Sequence, residues 1–261
     1  MKNNKFERLK DYLSTLDKQG ICLAFSGGID SALLLLLCKN LNVTALTFVS
    51  EFQTEEEVDF TQHFCEEAGI KHVIISLNML DDEIIANNPK DRCYHCKKKF
   101  FTEIKNYASA HNIKNILDGT NYDDLHTYRP GLKAIKELGI ISPFAKFEIT
   151  KDEIRSYAKS IGLEIYNKPS TPCLATRFPY GAHLSTSMIE QVKSAENILA
   201  RSGFVENRVR LHGDVARIEL PVNRFEDFIS QRENLTKELK TIGFRYITLD
   251  IEGLRRGSMD L

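Results

Sequence analysis

Over the first 160 residues or so, short apolar runs alternate with stretches whose apolar residues recur every three or four positions. Ile21–Phe25, Val43–Val49, His72–Leu77 and Asn115–Leu117 are too short for buried helices and carry β-branched and aromatic residues, so the pattern predicts strands there with helices between them. Strands separated by helices pair in parallel, because the chain must return to the starting end of the sheet before each new strand. Thr150-Lys-Asp-Glu153 has the spacing of a capping box and predicts a further helix ending near Gly162. The fold class is therefore α/β, a parallel doubly wound sheet.

The period is lost from Tyr166 to Ala182, which holds three prolines, Cys173 and Arg177 and reads as a linker or active-site loop. A second module follows. Ser187-Met-Ile-Glu190 predicts the cap of a helix reaching about Gly203, and Val205–Leu211 and Val215–Leu220 flank His212-Gly213-Asp214 as a hairpin. Asn223 opens another helix, and Tyr246–Ile251 reads as a last strand. This order predicts a smaller C-terminal α+β domain over 181–261, after a main domain over 1–180.

With 261 residues, 42% of them hydrophobic, the chain can bury a core in each of two such domains. Its 35 basic and 36 acidic side chains leave a net charge of −1, so no overall field draws in nucleic acid and any polyanion site must be local. The longest apolar run, Ala32 to Cys38, is far too short to span a bilayer, and Met1 to Lys10 is polar, so no membrane partner and a cytoplasmic location are expected. Six cysteines in a chain this long do not make a secreted disulfide framework. Cys22, Cys38 and Cys65 lie in apolar or helix-period stretches and read as core thiols.

The densest chemical signal is Ile-Cys-Leu-Ala-Phe-Ser-Gly-Gly-Ile-Asp-Ser at 21–31, a strand that breaks into glycines and enters a helix. Free N–H groups at such a helix start suit an anion. Gly27 and Gly28 let phosphate oxygens approach the main chain, Ser26 and Ser31 add donors, and Asp30 suits Mg²⁺. The absence of a lysine after the glycines excludes the loop of kinases and GTPases. Ser26-Gly-Gly-Ile-Asp-Ser31 instead resembles the PP-loop of ATP pyrophosphatases.

Asp118-Gly119-Thr120-Asn121 falls at the same sheet edge, with Asp123 and Asp124 as Mg²⁺ or hydrogen-bonding partners or, equally, as a solvated acidic loop. Cys93-Tyr-His-Cys96, ahead of Lys97-Lys98-Lys99, can hold a metal or cluster or act as a redox pair. Such a site needs a third ligand, for which Cys173 is the candidate. Arg208 and Arg210 alternate on one strand and face the same way, as a phosphate grip or as a solvated charged face, with Glu196, Glu219 and Arg255-Arg256 as further charges.

Together the PP-loop, Asp118–Asp124 with Tyr128-Arg-Pro-Gly131, Lys168–Gly181 around Cys173, Ala216-Arg-Ile-Glu219 and Gly257-Ser-Met259 resemble the LarE family of ATP-dependent sulfur transferases along essentially the whole chain. The resemblance implies an adenine nucleotide α-hydrolase-like fold and synthesis of a nickel-pincer nucleotide cofactor. ATP·Mg²⁺, held by Ser26, Gly27, Gly28, Asp30, Ser31, Gly119, Thr120 and Asn121, would adenylate a carboxylate of pyridinium-3,5-biscarboxylic acid mononucleotide. Sulfur would then replace AMP. It implies Cys173, Glu196, Glu219 and Asp227 as catalytic groups and Arg208, Arg210 and Arg255 as phosphate ligands. Cys173 would be the sulfur-bearing cysteine, sacrificed to dehydroalanine in one version of the family. In proteins with the extra pair, Cys93, Cys96 and Cys173 would instead bind a [4Fe–4S] cluster that delivers sulfide. The implied partners are a nucleotide substrate, a sulfide or sulfur donor and further copies of the chain, up to a hexamer. Rival readings are a cluster-dependent tRNA thiolase, which needs a broad basic surface, and a non-catalytic adenine-nucleotide or iron–sulfur sensor.

Overall fold

The computed structural model describes residues 2–167, 172–255 and 258–259. Two compact units divide the chain: 1–77 with 91–171, and 78–90 with 172–261.

In the first unit, α1 (Lys2–Leu16) leads into β1 (Ile21–Ala24), α2 (Ile29–Leu37), β2 (Val43–Val49), α3 (Glu55–Ala68) and β3 (Lys71–Ser76). After α4 (Glu83–Ala86), which belongs to the second unit, come α5 (Arg92–Ala110), β4 (Asn115–Leu117), α6 (Gly131–Leu138), α7 (Pro143–Lys146) and α8 (Lys151–Ser160). The strands lie in the order β3-β2-β1-β4, all parallel, as the alternation of elements requires. Successive β1 residues point to opposite faces. Ile21 and Leu23 enter a core with Leu9, Leu13, Leu33 and Ile154, whereas Cys22 enters another with Phe101, Ile104 and Ile135. Helices therefore cover both faces, and the expected core thiols are core thiols: burial pushes Cys22 up to about 11 and Cys38 and Cys65 up to about 12.

The strand order reverses direction beside β1. The chain steps outward through β2 and β3, then crosses back to place β4 on the opposite side, which opens a crevice beyond the carboxyl ends of β1 and β4. Gly119 closes its floor, since a Cβ there would lie 2.8 Å from the backbone nitrogen of Ser31. The expected capping box starts α8: Thr150 accepts from the Glu153 N–H, and Glu153 accepts from the Thr150 N–H at 2.9 Å. Lys5 on α1 holds the same glutamate at 3.1 Å.

In the second unit, α9 (Thr186–Arg201), β5 (Arg208–His212), β6 (Val215–Glu219), α10 (Phe225–Ser230), α11 (Arg232–Thr241) and β7 (Tyr246–Leu249) build the α+β module expected. β5 and β6 are antiparallel, and β7 joins β6 in parallel after the α10–α11 crossover. Val209, Leu211, Ala216 and Ile218 form the buried face of this sheet, with Ile189, Val192 and Leu199 of α9 buried alongside.

Several details differ from the sequence reading. Ser185 rather than Ser187 caps α9, accepting from the Met188 N–H, because the chain turns helical two residues sooner. His212 pairs with Val215, so the hairpin turns on Gly213 and Asp214 alone, with Gly213 in the left-handed region at φ 59°. The helix expected from Asn223 is a 3₁₀ turn followed by two short helices. Segment 78–90 and residues 172–180 belong to the second unit, joined by main-chain hydrogen bonds from Leu184 to Ala86 (2.7 Å) and Gly181 to Asn88 (3.0 Å). Asn88 also donates to the Pro179 carbonyl at 2.8 Å. Lys168–Thr171 and Gly257, part of the motifs noted above, lie outside the described residues.

Replacing Gly119 by alanine must push backbone against backbone. Gly119→Ala is expected to cost about 1–3 kcal/mol in urea denaturation, whereas Gly139→Ser, with nothing within 4 Å of its would-be Cβ, keeps the crevice intact and strains only its own turn. Equal loss of nucleotide binding in both variants would contradict this assignment.

Candidate active site

At the end of β1 the chain passes through Ser26 and Gly27, whose φ of 72° suits glycine, into extended Gly28, the N-cap of α2. Glycine has no side chain with which to cap the helix, and none caps it. The first turn of α2 thus presents N–H groups and the positive end of the helix dipole to the crevice, which is an anion site by construction. Ser31 shapes the loop from inside, since its hydroxyl donates to the Gly28 carbonyl at 3.0 Å, accepts from the Ser26 N–H at 3.3 Å and meets the Ser26 hydroxyl at 3.2 Å.

The loop after β4 faces it. Asp118 is buried and accepts from the Thr120 and Ser142 hydroxyls, each at 2.5 Å, while the Lys97 ammonium lies 3.8 Å away. Asn121 donates to Asp30 at 3.4 Å and exchanges hydrogen bonds with Asp124. Asp124 is further held by Arg129 at 2.8 Å, and Asp123 accepts the Lys151 N–H at 2.8 Å. Both carboxylates proposed from sequence as Mg²⁺ partners therefore brace the loop and the start of α8. Asp30 faces the crevice but pairs with the Lys151 ammonium at 2.6 and 2.8 Å. Burial raises the Asp30 carboxyl above its ordinary value, and the Lys151 contact offsets only part of that rise.

Cys93 and Cys96 lie in the first turn of α5, three residues apart and so on one helix face, with Cys93 exposed and Cys96 partly so. This spacing suits two ligands of one cluster. Cys173, exposed at the start of the 3₁₀ turn Leu174–Arg177, belongs to the second unit. Among the described residues no group of three or more His, Cys, Asp and Glu side chains is arranged around a metal position.

In the second unit the register places Arg208 opposite Glu219 and Arg210 opposite Arg217 on one face of the β5–β6 hairpin. Glu219 is fully buried; its oxygens accept from Arg210 (2.9 Å), Arg217 (3.2 Å) and the Ser258 hydroxyl (2.5 Å). Burial alone would raise the Glu219 carboxyl, but the arginine and serine hydrogen bonds and the two arginine charges outweigh it and hold it low. Glu196 forms a fork with buried Arg177 (2.7 and 3.1 Å) and accepts the Val209 N–H, while Arg255 pairs with Asp250 at 3.1 Å.

Arg208 differs from these. It donates to a carbonyl, that of Arg255, instead of a carboxylate, and burial together with the Arg177 and Arg210 charges lowers its pKa. Among the described residues the buried Nε atoms of Arg210 and Arg217 have no hydrogen-bond partner, although Arg217 Nε lies 3.7 Å from Asp250. Among the described residues Arg208 pairs directly with no carboxylate, and a half-buried cation of this kind suits an anionic ligand. Asp227, exposed on α10, pairs with Arg224 at 3.1 Å.

Three residues of these networks escaped the sequence reading as site residues. Lys151 was legible in principle, because a cation in the first turn of a helix opposes the dipole and calls for a partner. Arg177 and Arg217 carried no signal beyond charge; burial and strand register expose their roles.

A glycine-lined helix start at the reversal point of a parallel sheet is the phosphate site of a nucleotide-binding α/β protein, and here it carries the PP-loop sequence Ser26-Gly-Gly-Ile-Asp-Ser31. Residues 1–116 match the NAD synthase family profile. The chain is 40% identical to the pyridinium-3,5-bisthiocarboxylic acid mononucleotide synthase of Lactiplantibacillus plantarum, over 94% of this chain and 90% of that protein. It is 35% identical to an uncharacterized protein of Synechocystis sp. (100% and 98% covered) and 32% identical to one of Methanocaldococcus jannaschii (97% and 94% covered). The chain belongs to the LarE family and is an ATP-dependent sulfur-transferring enzyme. Among the described residues, no helix is long and apolar enough to cross a membrane.

Removing the Glu219 charge leaves the buried Arg210 guanidinium without its counter-ion and deprives the partly exposed Arg217 of one of its two. Glu219→Gln is expected to lose about 3–5 kcal/mol at neutral pH. Because the folded carboxyl sits below its ordinary 4.5, the wild-type advantage is complete above that pH and fades as pH falls through the lowered value. Denaturation curves of both proteins from pH 7 to 3 should converge; a constant gap would contradict the assignment.

Proposed function

We propose that this enzyme adenylates a carboxylate of pyridinium-3,5-biscarboxylic acid mononucleotide with ATP and exchanges AMP for sulfur to give a thiocarboxylate. The observation carrying this reading is near full-length similarity to the L. plantarum synthase in a chain whose PP-loop opens an uncapped helix at the sheet reversal. A carboxylate oxygen attacks the α-phosphorus and pyrophosphate departs. Sulfur then attacks the acyl carbon and AMP departs, which replaces a poor leaving group by a good one.

Ser26, Gly27, Gly28, Ser31, Gly119, Thr120 and Asn121 form the nucleotide cradle, with Asp30 as the Mg²⁺ ligand. Arg208 is the principal ligand of the substrate phosphate. Arg210 and Arg255 support it, oriented by Glu219 and Asp250. Glu196 acts through Arg177 and the β5 main chain. Asp227 keeps a role toward substrate by family resemblance alone.

Cys93, Cys96 and Cys173 would hold a [4Fe–4S] cluster, which when bound would supply sulfide as a soft nucleophile and spare Cys173. The pair on one helix face, with Cys93 exposed and Cys96 partly so, supports this over the sacrificial route. Local arginine sites in a chain of near-zero net charge support a small nucleotide substrate over tRNA. Self-association, up to a hexamer, completes the proposal.

Pyrophosphate release should require ATP, Mg²⁺ and the dicarboxylated mononucleotide together; release stimulated by tRNA instead, or none at all, would overturn the reading. Anaerobic purification should yield about four irons per chain with matching sulfide. Zinc in place of iron, or loss of H₂S from Cys173 in the mass spectrum after turnover, would overturn the cluster route.

A further inference from the structure

Arg177 is buried, yet its fork with Glu196 uses only one edge of the guanidinium. The remaining nitrogen, Nη1, reaches back along the 3₁₀ turn that Cys173 opens, donating to the Pro172 carbonyl at 3.2 Å and to the Thr176 hydroxyl at 3.1 Å. That hydroxyl and the Thr176 N–H donate in turn to the Cys173 carbonyl, at 2.8 and 2.9 Å. The carbonyls on either side of the cysteine Cα are therefore both fixed, one by Arg177 directly and the other through Thr176.

The anchor is itself held. Glu196, on α9, also accepts the Val209 N–H of β5, and Arg210 of β5 donates to the Thr176 carbonyl at 2.7 Å while paired with buried Glu219. Leu174 and Ala175 are buried, so the turn is packed as well as hydrogen-bonded, while Cys173 stays exposed. A single 3₁₀ turn has little stability of its own, and a reacting group on it is placed only as well as its supporting hydrogen bonds allow. Arginine suits this task, because its planar fork grips a carboxylate with one edge and still offers a nitrogen to a carbonyl; lysine carries the charge without the fork.

We propose that Arg177 is the positioning residue of Cys173: it ties the main chain on both sides of the cysteine to Glu196 and β5, and so fixes where the sulfur stands. The inference rests on the reading of Cys173 as a residue of the sulfur-transfer step.

Arg177→Met, Arg177→Lys and Thr176→Val test it. Arg177→Lys should regain most of the thermal midpoint that Arg177→Met loses, because its charge still balances Glu196. Both Arg177 variants should nevertheless form thiocarboxylate roughly 10²-fold more slowly than wild type, with pyrophosphate release and the KM for the mononucleotide little changed, since water then takes the place of sulfur at the acyl carbon and releases AMP with the original carboxylate. Thr176→Val should show the same uncoupling to a lesser degree. In cluster-free protein, iodoacetamide should alkylate Cys173 severalfold faster in all three variants than in wild type, and Cys93 at an unchanged rate. Full thiocarboxylate formation by Arg177→Lys, a rise in KM with both rates falling together, or an unchanged rate of Cys173 alkylation would overturn the inference. A wild type that releases pyrophosphate without making thiocarboxylate would overturn the reading of function instead, and the alkylation rates would still decide whether Arg177 places the cysteine.

Discussion

The near contact of Gly119 with the first turn of α2 is the constraint on which the nucleotide site depends. Parallel strands must be joined by crossovers, and a sheet wound outward from β1 in both directions parts at the carboxyl ends of β1 and β4. The two loops can share that crevice only if one backbone accepts the other at a distance that excludes a Cβ. Once they do, Asn121 reaches Asp30, Asp123 reaches the start of α8, and Lys151 is delivered to the same carboxylate. A single close approach thus brings the loop after β4 and the start of α8 to an uncapped helix terminus.

The second unit solves a different problem. Its sheet buries one face in the usual apolar way and covers the other with interlocked charges. Glu219 orients Arg210 and Arg217, Glu196 orients Arg177, and Asp250 orients Arg255. Carboxylates paired in this way spend their lone pairs on the protein's own arginines and so set the direction of the guanidiniums. The rigidity required of a ligand grip comes from charge pairing where an apolar core is absent.

How far the sequence discloses this depends on whether the physical cause is local. The capping box at Thr150 and Glu153, the buried Cys22 and the glycine turn after β1 follow from spacing within a few residues, and all appear where expected. For Asp123 and Asp124 two adjacent acids leave Mg²⁺ binding, hydrogen bonding and a solvated loop open, and hydrogen bonds and ion pairs with Lys151, Asn121 and Arg129 make them braces. The pairing of segment 78–90 with residues beyond 172, and the Lys151–Asp30 pair, join positions about a hundred residues apart, for which one sequence carries no periodic signal. The α9 cap falls to Ser185, which lacks the glutamate three residues on that singled out Ser187, because the turn of the chain and not the local pattern chooses between the two serines.

These features converge on one chemical claim: ATP is spent to make a carboxylate oxygen leave with AMP so that sulfur can take its place. The most direct measurement follows that oxygen. Turnover of the dicarboxylated mononucleotide labelled with ¹⁸O in its carboxylates should yield AMP bearing one ¹⁸O on its phosphate for each thiocarboxylate formed, and unlabelled pyrophosphate. Thiocarboxylate formed with unlabelled AMP, or with the label in pyrophosphate, would contradict the account.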